Sequence, residues 1–206
     1  MKIICIGRNY TEHAKELNNN IPDEPVFFIK PDTALLRNNS HFFLPPDNFL
    51  GEIHYEVELV LKINKAGKSI PEHFAYTYFD SIGIGIDFTA RELQNELKKK
   101  GLPWEKAKSF DYSAPISREF IPTKELNVMD GINFSLKKNG KVVQQGNTSQ
   151  MIFNFSKIIS HISKYITLRT GDLIFTGTPK GVGKIEKGDL LQAFIENRLM
   201  LETEIK

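Results

Sequence analysis

The stretch Ile53-His54-Tyr55-Glu56-Val57-Glu58-Leu59-Val60-Leu61-Lys62-Ile63 decides how the chain is read. Every odd position from Ile53 to Ile63 is apolar, a period of two that predicts a β-strand with one buried face. Glu56 and Glu58 then project from the opposite face, about 7 Å apart at two strand rises. Two readings follow. Either this face is the solvated side of a sheet, helped by Lys62, or the two carboxylates straddle one cation, since unpaired anions side by side repel.

A third acid lies downstream. Ser81-Ile82-Gly83-Ile84-Gly85-Ile86-Asp87 reads as a buried strand whose glycines allow close backbone approach, with Asp87 at its exit. A helix is predicted from Ala90 to about Lys100. Thr89 and Glu92 supply a capping box for it, which leaves Asp87 for another task. Three hard oxygen donors with no cysteine or second histidine nearby favour Mg²⁺ or Mn²⁺ over Zn²⁺.

At 206 residues and 40% hydrophobic, the chain is long enough to bury a sizeable core, and residues 1–206 are expected to form one domain. The formal charge of +2 is nearly balanced. Basic residues are dispersed except for Lys98-Lys99-Lys100, which suits a helix C-terminus, so nucleic acid is not an expected partner. Cys5 is the single cysteine and sits within Ile3-Ile4-Cys5-Ile6. It reads as a small core residue in a reducing compartment. The first strand turns polar by Arg8, too short for a signal sequence, and no apolar run reaches membrane-spanning length. The expected location is cytoplasmic.

The rest of the chain holds more strand than helix. Strands are predicted at Met1 to Ile6, Val26 to Ile29, Asp172 to Phe175, Asp189 to Ile195 and Met200 to Ile205. Short helices are predicted at Asn9 to Leu17 and Ser149 to Ile162. Asn139-Gly140 between apolar runs is a two-residue hairpin signal. Asn18 to Pro25 reads as a loop, and Arg37 to Gly51 as a surface excursion whose Phe42, Phe43 and Phe49 are candidates for a pocket wall, the core or a dimer contact. Together these predict a β-rich α+β fold.

Further polar residues recur at telling spacings. His13 and Glu16 stand three apart on one helix face, where a carboxylate fixes the imidazole tautomer and raises its basicity. Surface pairs with this spacing are also common. Arg91 and Gln94 share a face of the helix after Asp87, placed to grip a ligand carboxylate or to pair with Glu92 or Glu96. Lys108, in a Pro- and aromatic-rich segment, is either a ligand-facing ammonium or a snorkelling surface lysine. Thr176-Gly177-Thr178-Pro179-Lys180-Gly181-Val182-Gly183-Lys184 fails the phosphate-loop spacing, because Thr178 replaces the first glycine and Ile185 the Ser or Thr. It reads instead as a loop offering backbone N–H groups and the Thr178 hydroxyl to an anionic or carbonyl ligand, or as a plain tight turn.

In order along the chain, these segments resemble the fumarylacetoacetate hydrolase family. The matching blocks are Gly7-Arg8-Asn9-Tyr10 with His13-Ala14-x-Glu16, Phe28-x-Lys30-Pro31, Tyr55-Glu56-Val57-Glu58-Leu59 and Asp87-x-Thr89-Ala90-Arg91-x-x-Gln94. They continue with Pro103-Trp104-x-x-Ala107-Lys108-Ser109-Phe110-Asp111, Gln145-Gly146-Asn147-Thr148, Gly171-Asp172-Leu173-Ile174 and Thr176-Gly177-Thr178-Pro179-x-Gly181-Val182-Gly183. One departure is Ala114-Pro115-Ile116-Ser117-Arg118, where many relatives carry Gly-Pro after the Ala-Pro pair.

The resemblance implies a mixed β-sandwich roll, a homodimer, and Mg²⁺ or Mn²⁺ held by Glu56, Glu58 and Asp87. It implies a His13–Glu16 dyad on a segment that orders over bound ligand, with Arg91, Gln94, Lys108 and Thr178 at ligand-contacting positions. The chain resembles the compact acylpyruvase and oxaloacetate decarboxylase branch. The function implied is metal-dependent C–C cleavage of short 2-oxo acids, with His13 activating water and Lys108 or Thr178 steadying the oxyanion. An isomerase or tautomerase using the same enolate is the rival, and a non-catalytic metal-binding scaffold is the alternative of another class.

Overall fold

The computed structural model describes residues 1–17, 20–46, 49–128 and 130–206. In chain order the elements are β1 (Ile3–Gly7), α1 (Thr11–Glu16), β2 (Val26–Lys30), β3 (Leu35–Leu36), β4 (Ile53–Tyr55), β5 (Val57–Ile63), α2 (Glu72–Ala75), β6 (Phe79–Ile86), β7 (Thr89–Ala90), α3 (Arg91–Lys99), α4 (Glu105–Lys108), β8 (Ala114–Pro115), β9 (Ile121–Pro122), β10 (Asn133–Lys138), β11 (Lys141–Asn147), α5 (Phe155–Tyr165), β12 (Leu173–Phe175), β13 (Gly183–Lys184), β14 (Leu190–Ile195) and β15 (Arg198–Glu204). A six-stranded sheet runs β2-β1-β12-β5-β6-β9 and a four-stranded sheet β11-β10-β14-β15. Two small sheets, β13-β4-β7 and β3-β8, stitch the edges. The six-stranded sheet is mixed, with β1 and β12 parallel and their neighbours antiparallel. The β-rich α+β expectation therefore holds.

The period of two in the opening strand has a direct structural counterpart. Val57, Leu59, Leu61 and Ile63 enter the main core. The opposite face of the sheet is not solvated, however. Val60 packs there in a second apolar cluster with Ile3, Cys5, Leu173 and Phe175, and in the strand itself only Lys62 is exposed. Strands β1 and β12 alternate in the same way, Ile4, Ile6 and Ile174 going to the main core. The sheet is thus buried on both faces, which corrects the solvated-face reading and confines Glu58 to the interior. Gly85, opposite Glu58 in register, permits this packing, since a Cβ there would lie 2.5 Å from the Phe175 ring.

Several expectations shift at their edges. The predicted strand over 53–63 is broken at Glu56, where the chain leaves the small β13-β4-β7 sheet and joins the large one. The Asn139-Gly140 hairpin forms, with φ of 53° and 79°, the doubly left-handed turn that matches strand twist. The helix predicted from Ser149 begins only at Phe155, because the Asn154 side chain caps it by accepting from Lys157 N. Helix α3 forms, yet its capping box does not. Thr89 lies in β7, its hydroxyl donating to Asp87 O and accepting from Lys108 Nζ, while Glu92 accepts from Glu52 N. Asp87 is therefore available for a reason other than the one inferred. Of the loop over Asn18 to Pro25, Asn18 and Asn19 lie outside the described residues, as do residues 47 and 48 of the excursion. Phe42 is core, 4.5 Å from Phe88 between ring centroids, whereas Phe43 and Phe49 are exposed. No described helix is long and apolar enough to cross a membrane.

Candidate active site

The break at Glu56 builds the site. Glu56 O accepts a 2.8 Å hydrogen bond from Asp87 N, so the residue between β4 and β5 and the residue leaving β6 are clamped side by side. Glu58 follows on β5. Its Oε2 accepts from Gly177 N at 2.7 Å. Carboxylate oxygens of Glu56, Glu58 and Asp87 lie within 4.8 Å of one another, and all three residues are buried.

Cations crowd the cluster. Lys108, at the end of α4, is 3% exposed and its ammonium donates to Glu56 Oε2 at 2.8 Å, Asp87 Oδ2 at 2.7 Å and Thr89 Oγ1 at 2.6 Å. That excludes the surface-lysine reading. Arg91, on the first turn of α3, pairs with Glu56 Oε1 and donates to Gln94 Oε1 at 2.7 Å. It therefore engages neither Glu92 nor Glu96, the partners expected for a surface ion pair. Burial alone would push the Glu56 carboxyl up, but the Lys108 and Arg91 charges beside it hold it well below the usual carboxylate range. Glu58 goes the other way: burial, then Asp87 and Glu56, raise its carboxyl well above that range.

These observations test the fit of a metal. The donor set is entirely oxygen, burial and then the acidic neighbours raise the Glu58 carboxyl, and Asp87 Oδ1 is buried without a hydrogen bond. Lys30 Nζ lies 2.8 Å from that oxygen, outside hydrogen-bonding geometry. A hard divalent cation matches such a set, as Mg²⁺ and Mn²⁺ do.

On the cleft wall, α1 brings His13, 5% exposed, with Nδ1 3.2 Å from Glu16 Oε2. The other oxygen of Glu16 accepts from Gly181 N at 3.0 Å. Thus two backbone N–H groups of the glycine loop, those of Gly177 and Gly181, serve Glu58 and Glu16 of the protein itself rather than a ligand. Thr178 between them lines the cleft with Glu56, Glu58, Asp87, Arg91 and Gln94. Gly177 has φ +99° and its Cβ would lie 2.7 Å from Asn9 Cβ. Gly177→Ala is expected to destabilise the protein by more than about 1 kcal/mol, read as a lowered midpoint in urea unfolding.

Three residues escaped the sequence reading of the site. Lys30 is fully buried, its ammonium donating to Ser113 Oγ at 2.9 Å and to the Lys108 carbonyl. Its sequence signals are a lysine behind the apolar Val26-Phe27-Phe28-Ile29 and its place in the matching block Phe28-x-Lys30-Pro31. Gln144, on β11, accepts from Val57 N at 2.9 Å and donates to Thr178 Oγ1 at 2.8 Å and Pro179 O at 2.9 Å. Arg8 also lines the cleft, in a left-handed conformation with φ 59°.

The family profile for the fumarylacetoacetate (FAA) hydrolase C-terminal region matches residues 2–206. The chain belongs to the fumarylacetoacetate hydrolase family. Within that family it is 44% identical over 204 residues to the mitochondrial oxaloacetate tautomerase FAHD1 of Mus musculus, covering 99% of this chain and 91% of that protein. A fumarylacetoacetate hydrolase family protein from Yersinia pestis superposes with a TM-score of 0.94 at 42% identity, covering 100% of this chain and 93% of the other. The fumarylpyruvate hydrolase of Pseudomonas aeruginosa, solved with Mn²⁺ and pyruvate, superposes with a TM-score of 0.92 at 34% identity, covering 100% and 89%.

Proposed function

We propose that this protein is a divalent-metal-dependent enzyme of short 2-oxo acids that works through their enol form, and that its reaction is the keto–enol tautomerisation of oxaloacetate. The observation that carries the proposal is one buried cleft in which three carboxylates converge within 4.8 Å while His13 stands on the wall, backed by Glu16. The name of the mouse relative supports the choice of reaction.

Glu56, Glu58 and Asp87 would hold the cation, whose Lewis acidity would serve to polarise a 2-oxo carbonyl and acidify the adjacent CH. With Nδ1 engaged by Glu16, His13 presents Nε2 as the base that takes a proton from carbon 3; protonation of the carbonyl oxygen completes the enol, and in the reverse direction the oxygen loses its proton while protonated His13 returns one to carbon 3. Arg91 and Gln94, already locked to each other, orient the substrate. Lys108 and Thr178 steady the carbonyl oxygen as it gains charge. Thr178 is prepared for this: Val57 N and Pro179 O fix which way the Gln144 amide faces, so its NH₂ donates to Thr178 Oγ1 and the hydroxyl proton is left free to donate elsewhere.

A second reading is hydrolytic C–C cleavage of acylpyruvates, in which His13 activates water. The Pseudomonas neighbour favours it. Oxaloacetate decarboxylation would need no water: CO₂ leaves, and pyruvate enolate remains to be protonated.

The test follows enol absorbance and pyruvate release together, on oxaloacetate and acetylpyruvate, with and without EDTA. Accelerated loss of the oxaloacetate enol, abolished by EDTA, is the expected result. Pyruvate from acetylpyruvate without enol turnover would replace tautomerisation by hydrolysis. A metal-raised melting temperature with background turnover on both acids would reduce the protein to a scaffold.

A further inference from the structure

Two cations of the cleft have no part in the chemistry above. Arg8 and Lys98 line it together with Arg91 and Lys108. Arg91 and Lys108 are committed to Glu56 and Asp87. Arg8 is differently held: its guanidinium carbon lies 5.8 Å from the centroid of the Trp104 ring, a partner that positions the side chain without neutralising it. Its backbone adopts φ 59°, a conformation few non-glycine residues accept and one that is often retained where function requires it.

Lys98 continues the inward stripe of α3. Arg91, Gln94 and Lys98 recur at i, i+3 and i+7, so Lys98 sits two turns from Arg91, about 10 Å along the helix axis. Burial, then the Arg8 and Arg91 charges, lower its ammonium from the usual range. Like charges are thus crowded on a half-buried wall, a repulsion that an incoming anion relieves. A divalent cation held by the three carboxylates would add positive charge to the wall that Arg8 and Lys98 line. A ligand bearing two negative charges suits this field better than one bearing a single charge.

We propose that Arg8 and Lys98 form a subsite for the second, non-chelating carboxylate of a 2-oxo diacid, making the cleft selective for dicarboxylates over 2-oxo monoacids. The subsite rests on the 2-oxo acid reading of the cleft and is separable from the reaction assigned to it. Arg8 holds the carboxylate through its planar fork, and Lys98 adds a point charge.

The experiment titrates the Mg²⁺-loaded protein with freshly prepared oxaloacetate and with pyruvate, which share the chelating half and differ in the second carboxylate, using thermal shift as the readout. Wild type should bind oxaloacetate at least 10-fold more tightly than pyruvate. Arg8→Asn, chosen because asparagine tolerates the left-handed backbone, should bring that ratio near one while leaving pyruvate affinity within about two-fold. Arg8→Lys should restore most of the preference, and Lys98→Met should lower it independently. A preference that survives both neutral substitutions overturns the subsite, as does an equal fall in affinity for both acids or a wild type that does not distinguish them. If wild type prefers the diacid but leaves the rate of its keto–enol interconversion at background, the assigned reaction falls and the subsite stands.

Discussion

Replacing His13 by alanine is expected to lower turnover by about 10²- to 10⁴-fold, the usual contribution of a positioned general base, while Mn²⁺ affinity stays at the wild-type value. The separation follows from the architecture. His13 and Glu16 come from α1, whereas the three carboxylates come from β5, its junction with β4, and the exit of β6. Removing the imidazole takes away no cation donor. Steady-state kinetics at saturating metal, paired with calorimetric Mn²⁺ titration, check both halves of the statement. Unchanged turnover would remove His13 from the role of base. Glu16→Gln should also cost turnover heavily, because an amide oxygen that accepts from Gly181 N turns its NH₂ toward His13 Nδ1 and leaves the proton on Nε2, the tautomer that cannot act as the base.

Glu58→Gln should act on the opposite half. Losing one of three charged donors is expected to weaken Mn²⁺ binding by at least about 100-fold, beyond the 10- to 100-fold typical of residues that merely support a ligand. Stability should separate the two proteins as well. Because burial and then its acidic neighbours raise the Glu58 carboxyl in the folded protein, folding favours the protonated form. In EDTA the contribution of this group is present below its ordinary range and is lost as pH rises through the raised folded value. Glutamine cannot ionise, so the variant in EDTA should equal or exceed wild type at neutral pH. With Mn²⁺ at 100 times its dissociation constant the order reverses: wild type gains about 2.7 kcal/mol, a rise in Tm of about 5–10 °C for a chain of this size, and the variant gains little. Thermal unfolding with and without the metal reads both effects, and a variant that retains the full metal-induced rise would dismiss Glu58 as a ligand.

Much of this arrangement is legible in the sequence because strands alternate strictly. The apolar odd positions of Ile53 to Ile63 place Glu56 and Glu58 away from the main core, and the glycine-spaced run ending at Asp87 brings the third acid out of a neighbouring strand. The His13–Glu16 pair is equally local, a matter of three residues on one helix. Burial of the acid-bearing face was not legible, since it depends on Val60 meeting Phe175 and Ile3 across elements far apart in the chain. Gln144 escaped for the same reason: its partners Val57 and Thr178 are 87 and 34 residues away. The capping box failed because a local preference met a tertiary demand. The Thr89 hydroxyl is taken by a lysine from α4, and a buried ammonium in need of acceptors outweighs one helix cap.

The glycine-rich turn after β12 carries a consequence of its own. Through Gly177 it grips Glu58, proposed to hold the cation, through Gly181 it grips Glu16, which meets the imidazole, and it presents Thr178 between them. One short length of backbone therefore gauges the gap between the proposed cation site and the proposed base, much as a jig holds two workpieces. Lengthening it by a single residue would leave each half whole and spoil their alignment.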